Sequence, residues 1–347
     1  MEAKTAKPRS APTAGDRRTI IAAAIRPSQL LVLILTLAFA GGLRVPEPLQ
    51  YAPFAASLVL FGLPHGALDH LVPSRLAGRR PDARSVAGVV LLYAVLSGLC
   101  LTLWFSAPIF AFVTFVLLTA YHWGAGDLHA LLFFGPKGLH RTGRLARAAL
   151  LAGRGCIPML VPLVFFPDAY REVAGDVAGL FGRDIGVLSF FIEPNARAAL
   201  LAGLAATLVL AGILTLRDLG REWRLLLPVV GETVLLIAFF AVVPPVLAVG
   251  VYFTVWHAPR HIARLILLHP VSRREPSPRA LVRFGREAAP MTILALVALA
   301  GLYFAVPSGG GRADSLLALY LVLVFVLTVP HAAVVTYMDR RQGVWGR

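Results

Sequence analysis

Five of the nine histidines in the chain lie deep within long apolar runs of sequence, away from the ends of those runs. An ionisable side chain in a membrane-like segment is costly, and by default it indicates function. Neutral imidazole is the commonest metal ligand and suits iron, zinc, copper and nickel. The sequence therefore predicts a metal centre, with candidate ligands among His65, His122, His257, His261 and His331.

The spacing of one pair supports a shared ligand role. His257 and His261 are four residues apart, which places both rings on one face of a helix, as paired ligands require. Pro259 lies between them and is expected to bend the helix and free a carbonyl about one turn earlier. For any single buried histidine, a hydrogen bond between packed helices is an equally good explanation. The case for a site therefore depends on the whole set.

The elements that must position these residues are membrane spans. Hydrophobic residues make up 58% of the 347 residues and charged residues only 15%, whereas a soluble domain carries about 25% charged residues. A span needs about 20 apolar residues. We predict an all-α polytopic integral membrane protein with about ten transmembrane helices, near residues 27–44, 51–72, 86–105, 109–134, 148–166, 197–216, 224–243, 245–269, 288–306 and 315–338.

Loop charges indicate the orientation of these spans, because cytoplasmic loops carry an excess of Lys and Arg. With a cytoplasmic N-terminus, the even-numbered connections and the C-terminal tail are basic, as in Arg79 and Arg80 of the second connection. The odd-numbered connections are poor in Arg, and the longest of them, 167–196, is acidic. The alternation predicts that both termini are cytoplasmic.

This topology places the five histidines at one depth. The four spans that carry them all run from outside to inside, and each histidine lies roughly 12 to 17 positions from the outer end of its span. At 1.5 Å per residue all five fall within about 8 Å of depth. Independent packing residues would scatter more, so the set is interpreted as one site just inward of the membrane midplane.

Three acids lie in or near the spans. Asp69 follows His65 by four residues and is the first candidate to accept the second N–H of that imidazole. Asp127 follows His122 by five residues and is less well aligned, and Glu232 has no obvious partner in the sequence. The alternative for all three acids is pairing with arginines, such as the deep Arg260, or with loop amides.

The rest of the sequence predicts the domain organisation and excludes other classes of protein. Residues 1–26 are predicted to be a disordered cytoplasmic tail, and residues 27–340 a single transmembrane helical domain. The net charge of +15 comes from short basic clusters between apolar runs, so the lipid bilayer is the expected partner and nucleic acid is not. Lysine occurs only at Lys4, Lys7 and Lys137, which excludes a retinal Schiff base on a lysine within a span.

Four motifs carry a resemblance to a known family. They are Gly62–His70 (GLPHGALDH), Tyr121–Gly124 (YHWG) followed by Asp127, Trp256–His261 (WHAPRH) followed by Arg264, and Pro330–His331 followed by Asp339. Over about residues 28 to 340 the chain resembles the Brp/Blh family of membrane β-carotene 15,15′-dioxygenases. Each motif is weak by itself, and the combination is specific.

The resemblance implies that O₂ cleaves the central double bond of β-carotene to give two molecules of all-trans-retinal. It also implies Fe²⁺ as the cofactor, held by His65, His122, His257 and His261. His331 then becomes a residue on the substrate side or behind the ligands, as do Asp69, Asp127 and Glu232. The chemistry demands no acid or base, so no catalytic residue is assigned apart from the metal ligands.

Further expectations follow from the same resemblance. Tyr121, Trp123, Tyr252 and Trp256 flank the ligands and are candidates to line a slot for the polyene, although aromatic residues at helix seams are more often simply core. The expected location is the cell membrane, as a multi-pass protein. Retinal as the product leaves open a functional link to a retinal-binding rhodopsin.

Alternative functions make different predictions. A transporter or proton relay would arrange polar residues along the membrane normal, whereas these histidines share one depth. A haem protein needs two facing histidines and leaves the others unexplained. A zinc hydrolase fits the ligands but lacks an obvious general base beside the paired histidines. Cleavage of a different carotenoid, or of a different bond, needs the same metal site and a differently shaped tunnel, and it stays open.

Overall fold

The computed structural model describes residues 13–184, 186, 189–269, 277–306 and 313–346. Every regular element in these ranges is helical. The α-helices are α1 (Ala14–Ile20), α2 (Arg26–Ala40), α3 (Glu47–Gln50), α4 (Ala52–Val59), α5 (Val72–Leu76), α6 (Ala83–Ser106), α7 (Pro108–Phe133), α8 (Arg144–Phe165), α9 (Pro167–Gly179), α10 (Ser189–Ile192), α11 (Pro194–Leu219), α12 (Leu227–Val242), α13 (Pro245–Val251), α14 (Ala258–Leu268), α15 (Ser277–Ala305) and α16 (Ala313–Gln342).

Eight helical segments among the described residues are long and apolar enough to cross a membrane: Ala14–Ala40, Glu47–Leu76, Ala83–Ser106, Pro108–Phe133, Arg144–Phe165, Pro194–Val242, Pro278–Ala305 and Leu316–Gln342. The segment Pro194–Val242 contains two of the predicted spans and bends at Gly220, whose φ is 54°. The predicted span 245–269 is not among the eight, because the histidines and arginines that it carries lower its mean hydropathy.

The N-terminal segment differs from the prediction of a disordered tail over residues 1–26. Residues 1–12 lie outside the described residues, and the chain is helical from Ala14 onward. The Asp16 amide donates to Thr13 Oγ1 at 3.1 Å, and the Thr13 amide donates to the Asp16 carboxylate at 3.0 Å. This reciprocal capping box satisfies two amides that a helix start leaves unpaired. The helix therefore begins within the segment that was predicted to be disordered.

The helix α7, which carries His122, packs closely against α8. A Cβ on Gly124 would collide with the Leu151 carbonyl, and a Cβ on Gly155 would collide with the Ala120 carbonyl. Small residues at both positions let the two backbones approach, as is usual between membrane helices. The close contact fixes the depth of His122 relative to α8.

Regular helix is interrupted at two places that carry histidines. After α4 the chain continues through the 3₁₀ segments Leu63–Gly66 and Asp69–Leu71. Between α13 and α14 it forms a π-helical turn over Tyr252–His257. Pro259 follows this turn, lacks an amide hydrogen and clashes with the carbonyl four residues earlier, so a regular helix cannot continue through it. Wide turns of this kind occur frequently at functional sites.

Candidate metal centre

Five imidazole rings from separate parts of the chain meet in the interior. The centroid of the His65 ring lies 4.9–6.3 Å from the centroids of the other four rings. None of the five side chains is more than 7% exposed. The structure thus brings together all the histidines that share one depth in the sequence analysis. We refer to them as the histidine cluster: His65, His122, His257, His261 and His331.

The cluster leaves ring nitrogens without hydrogen-bond partners. These buried atoms are His65 Nε2, His122 Nδ1, His261 Nε2 and His331 Nε2. A buried polar atom without a partner costs about 1–3 kcal/mol, so four of them in one place need an explanation. A metal ion would supply the missing partner for each nitrogen, and the donor set suits a transition metal. The residues present therefore fit a metal ion.

The possible ligand atoms fall into two separate groups. Within each group all ligand atoms lie within 4.8 Å of one another. The first group is His65, His122 and His257, and the second is Asp69, His261 and His331. The two groups adjoin, because the His65 ring lies 4.9 Å from the His331 ring and 5.6 Å from the His261 ring.

The partner of Asp69 differs from the prediction. Its carboxylate binds Nδ1 of His331 at 2.7 Å rather than the His65 ring, and it also accepts the Tyr93 hydroxyl at 2.6 Å. The expected position on the face of His65 assumes a regular helix, and the 3₁₀ segments after α4 remove that periodicity. The second nitrogen of His65 instead contacts the Gly62 carbonyl. Both rings therefore keep Nε2 free.

His257 and His122 face each other across α7 and the π-helical turn. Their Nε2 atoms are 3.0 Å apart. The approach depends on Gly126, since a Cβ there would lie 2.9 Å from Cε1 of the His257 ring. The rings of His257 and His261 both lie beside His65, at 5.5 and 5.6 Å between centroids, so the paired histidines share a face despite the irregular turn.

A second buried polar group lies behind the histidines, and we call it the charge cluster: Asp127, Arg154, Glu232 and Arg260. Arg154 donates to Asp127 Oδ2 at 2.9 Å and to Glu232 Oε2 at 3.0 Å. Glu232 also accepts from Gln29 at 2.6 Å. Asp127 and Glu232 are therefore held by arginine, which is the alternative that the sequence analysis kept open for them.

Arg260 contacts neither Asp69 nor Asp127, the two partners suggested by the sequence. It donates to Ser28 Oγ at 2.9 Å and to the Trp256 carbonyl at 2.8 Å. Its guanidinium lies 3.8 Å from the Trp256 ring centre, and Nη2 lies 3.9 Å from Glu232, beyond hydrogen-bond range. Trp256 in turn donates to Asp127 at 3.1 Å. The charge cluster thus supports the turn that carries His257.

The four flanking aromatic residues lie in different surroundings. Trp123 lies 6.1 Å from the His257 ring and lines a cavity beside the histidines. Tyr252 packs against Trp123 at 4.8 Å, and its buried hydroxyl has no hydrogen-bond partner. Tyr121 points away, because it is 36% exposed and its hydroxyl is 2.9 Å from that of Thr336. Trp256 contacts Asp127 and Arg260 of the charge cluster.

Two apolar cavities adjoin the histidine cluster. The inner cavity, of about 110 Å³, lies among α7, α8, α9, α13 and α16. The outer cavity, of about 380 Å³, lies among the turn after α4, α6, α15 and α16. Four residues line both cavities: His65, Phe253, Val324 and Thr328. The histidines therefore stand where an elongated apolar molecule could pass from one cavity to the other.

Three contributors to the site are missed by the sequence analysis. Tyr93 and Phe253 carry no spacing signal, since an aromatic residue in an apolar run looks like core. Arg154 does carry a signal, because an unpaired arginine in a predicted span is as costly as the acids that it pairs with. One arginine and two acids within predicted spans could have been expected to pair with one another, and that pairing is the core of the charge cluster.

The fold and the site together define a class: a helical protein of membrane type with a histidine-rich site, able to hold a metal ion, beside apolar cavities. The model of the family described as Beta-carotene 15,15′-dioxygenase matches residues 56–339, a range that includes all five histidines. The chain belongs to this family.

Curated relatives agree over nearly the whole chain. The "Probable beta-carotene 15,15′-dioxygenase Blh" of Halobacterium salinarum is 44% identical over 339 residues, covering 96% of both chains. The "Probable beta-carotene 15,15′-dioxygenase Brp" of the same organism is 27% identical over 92% of both chains. The "Beta-carotene 15,15′-dioxygenase" of uncultured marine bacterium 66A03 is 22% identical over 82% of this chain and 93% of the relative. No solved structure matches the chain significantly.

Proposed function

We propose that this protein cleaves the central double bond of β-carotene with O₂ and releases two molecules of all-trans-retinal. It is a dioxygenase, an oxidoreductase. The observation that carries the proposal is the position of the histidine cluster, which is buried, has unpaired ring nitrogens and adjoins two apolar cavities. Family membership and the names of the relatives support the substrate and the bond.

The proposed cofactor is Fe²⁺, bound by His65, His122, His257 and His261. His331 is added to this set as a fifth candidate ligand. Its support is a buried Nε2 without a partner and an Nδ1 held by Asp69 at 2.7 Å, the arrangement in which a carboxylate orients a ligating imidazole. When bound, the iron ion supplies the site at which O₂ reacts with the polyene.

The protein's own residues position the substrate and exclude water. Phe253 and Val324 line both cavities, and Trp123 lines the inner one, so the polyene would contact apolar side chains on each side of the histidines. His257 and His261 line neither cavity, so they lie behind the site. The open side of the cluster is the side of His65, which adjoins both cavities. An apolar substrate can therefore reach the site without bringing water to it.

For the membrane arrangement we propose ten crossings, both termini in the cytoplasm and one transmembrane catalytic domain over 27–340. A straight helix over residues 194–242 would be about 73 Å long, more than twice the hydrocarbon thickness of about 30 Å. The bend at Gly220 supports two crossings there. The span 245–269 would be shielded from lipid, since His257, Arg260, His261 and Arg264 are all at most 4% exposed. The proposed location is the cell membrane.

Expression in a β-carotene-producing bacterium tests the function directly. We expect wild-type protein to bleach the cells, with retinal as the aldehyde product on chromatography. His122→Ala and His257→Ala should lose retinal formation, and the purified variants should hold less iron than the wild type. The control is His140→Ala, which removes an exposed histidine outside the cluster and should change neither readout.

The outcomes separate the parts of the proposal. Intact carotene in cells that contain folded wild-type protein contradicts the activity. Cleavage of another carotenoid but not of β-carotene contradicts the substrate alone. Retinal formation by His122→Ala and His257→Ala at the wild-type rate contradicts the metal centre. The iron content per chain decides whether the two adjoining ligand groups hold one ion or two.

A further inference from the structure

The inner cavity extends away from the histidines along three helices. On α7 its lining residues run from His122 back to Phe112, which is ten residues, or about 15 Å of helix. On α16 they run from Thr328 back to Leu317, which is about 16 Å. On α13 and the π-helical turn they begin at Pro245. The cavity is thus a narrow channel that extends about 15 Å along both α7 and α16.

The far end of this channel is covered by α9. Ala169, Tyr170 and Val173 of α9 line the cavity there, and the Tyr170 ring lies 6.3 Å from the Phe112 ring. Other residues of α9 pack into the same apolar core as Phe112. The end of the channel opposite the histidines is therefore covered by side chains rather than left open.

The outer cavity has a different boundary. It separates α6 from α15, and its lining includes side chains on the outer surface of both helices. Val90 of α6 is 50% exposed, and Leu294 of α15 is 59% exposed. Exposed leucine and valine on helices of membrane-spanning length face lipid. The outer cavity therefore opens sideways towards the hydrocarbon of the bilayer.

We propose that both cavities form one channel that β-carotene enters from the bilayer between α6 and α15, and that the covered end at α9 sets which bond is cleaved. This inference rests on the proposed function. β-Carotene is comparable in length to the hydrocarbon thickness of about 30 Å, so half of it spans about 15 Å. When its leading ring stops at Tyr170 and Val173, the central bond lies beside His65 and His122. The length of the inner cavity then determines central cleavage.

Val173→Phe shortens the inner cavity, so the leading ring stops early and an off-centre double bond lies at the histidines. One oxygen atom of O₂ goes to each new aldehyde carbon, so the two products together retain all forty carbons of the substrate. We expect retinal formation to fall about tenfold or more, because the central bond is displaced from the histidines, and a pair of aldehydes of unequal length to appear. The control is Val209→Phe on the exposed face of α11, which should yield retinal alone.

Tyr170→Ala tests the same end without adding bulk. It lengthens the inner cavity, so the leading ring can move past the wild-type stop and unequal aldehydes should again accompany retinal. If Val173→Phe is inactive and forms no aldehyde, the products of Tyr170→Ala determine whether the covered end selects the cleaved bond. Retinal as the sole aldehyde product of Tyr170→Ala, or of an active Val173→Phe, overturns the inference. Absence of retinal from the wild type contradicts the proposed function instead.

The entrance has its own test. Ala298→Trp places a large ring in the outer cavity between α15 and α6. We expect the rate with β-carotene in vesicles to fall about tenfold, with retinal still the only product, because the covered end is unchanged. Ala206→Trp on the lipid-exposed face of α11 is the matched control. Equal rates for Ala298→Trp and its control overturn the proposed entrance.

Discussion

The histidine cluster and the charge cluster are both buried among helices of membrane-spanning character, and they differ in how far their polar atoms are satisfied. In the histidine cluster four ring nitrogens lack a partner. In the charge cluster Arg154 binds Asp127 at 2.9 Å and Glu232 at 3.0 Å, and Arg260 Nη2, which makes no hydrogen bond, lies 3.9 Å from the opposite charge of Glu232. A buried charge is kept by pairing, whereas unpaired buried nitrogens call for something the chain itself does not supply.

The difference also appears in the surroundings. The apolar channel adjoins the histidine cluster, and the charge cluster lies on its other side, braced against Trp256 next to His257. The charge cluster thus holds helices together, whereas the histidine cluster is the group that we propose binds the metal ion. An ionisable residue within a membrane segment indicates function by default. In this protein the atoms without hydrogen-bond partners distinguish a candidate binding site from a structural ion pair.

The largest effect should come from breaking the charge cluster. Arg154→Met leaves two acids buried without their main partner, which typically costs about 3–5 kcal/mol when a buried pair loses one member. We expect a large loss of thermal stability in detergent, followed by loss of activity because the protein unfolds. Arg141→Met removes an arginine from the exposed pair with Glu222 and should leave the melting temperature unchanged. A stable Arg154→Met protein would contradict the structural role.

Asp69→Asn tests the histidine cluster with a smaller expected effect. Loss of the carboxylate that orients His331 should weaken iron binding about 10- to 100-fold, the usual cost of removing such a partner. The measurement is iron retention against a graded chelator, with thermal stability in the iron-free state as the check on folding. Asp168→Asn, at an exposed site paired with Arg171, serves as control. Unchanged iron affinity would remove His331 from the ligand set.

Tyr93→Phe removes one hydrogen bond to the Asp69 carboxylate and keeps the ring. We expect iron affinity to fall less than tenfold, in the same direction as for Asp69→Asn, because Asp69 still holds His331. In the double variant with Asp69→Asn, the change Tyr93→Phe should lower iron affinity little further, because effects of residues in one hydrogen-bond network are not additive. Tyr121→Phe alters a hydroxyl that bonds Thr336, away from the cluster, and should not change iron affinity.

The smallest effect is expected at Tyr252. Its hydroxyl is buried without a hydrogen-bond partner, so Tyr252→Phe removes an unsatisfied polar atom and keeps the aromatic packing. Stability should be unchanged or slightly higher, and retinal formation should stay within about twofold of wild type. A large loss of activity with normal folding would show that the hydroxyl contacts the substrate or the metal, and would move Tyr252 into the site.

Much of this protein could be predicted from the sequence. Membrane character follows from composition, because a chain with 58% hydrophobic residues has too few charges to cover a soluble surface of this size. The five histidines could be selected by depth, because helix rise is constant and the four predicted spans that carry them have the same predicted direction. The paired positions of His257 and His261 follow from helical periodicity.

Other features depend on where regular helix stops. Asp69 binds His331 rather than His65 because the 3₁₀ segments rotate it away from the expected face. Arg154 pairs with acids from two other helices, and a single sequence carries no record of which helices touch. The channel from α9 to the gap between α6 and α15 is a space between elements distant in sequence. Residue types and their spacing thus reveal which side chains are costly to bury, whereas the packing of helices distant in sequence determines which of those side chains become partners.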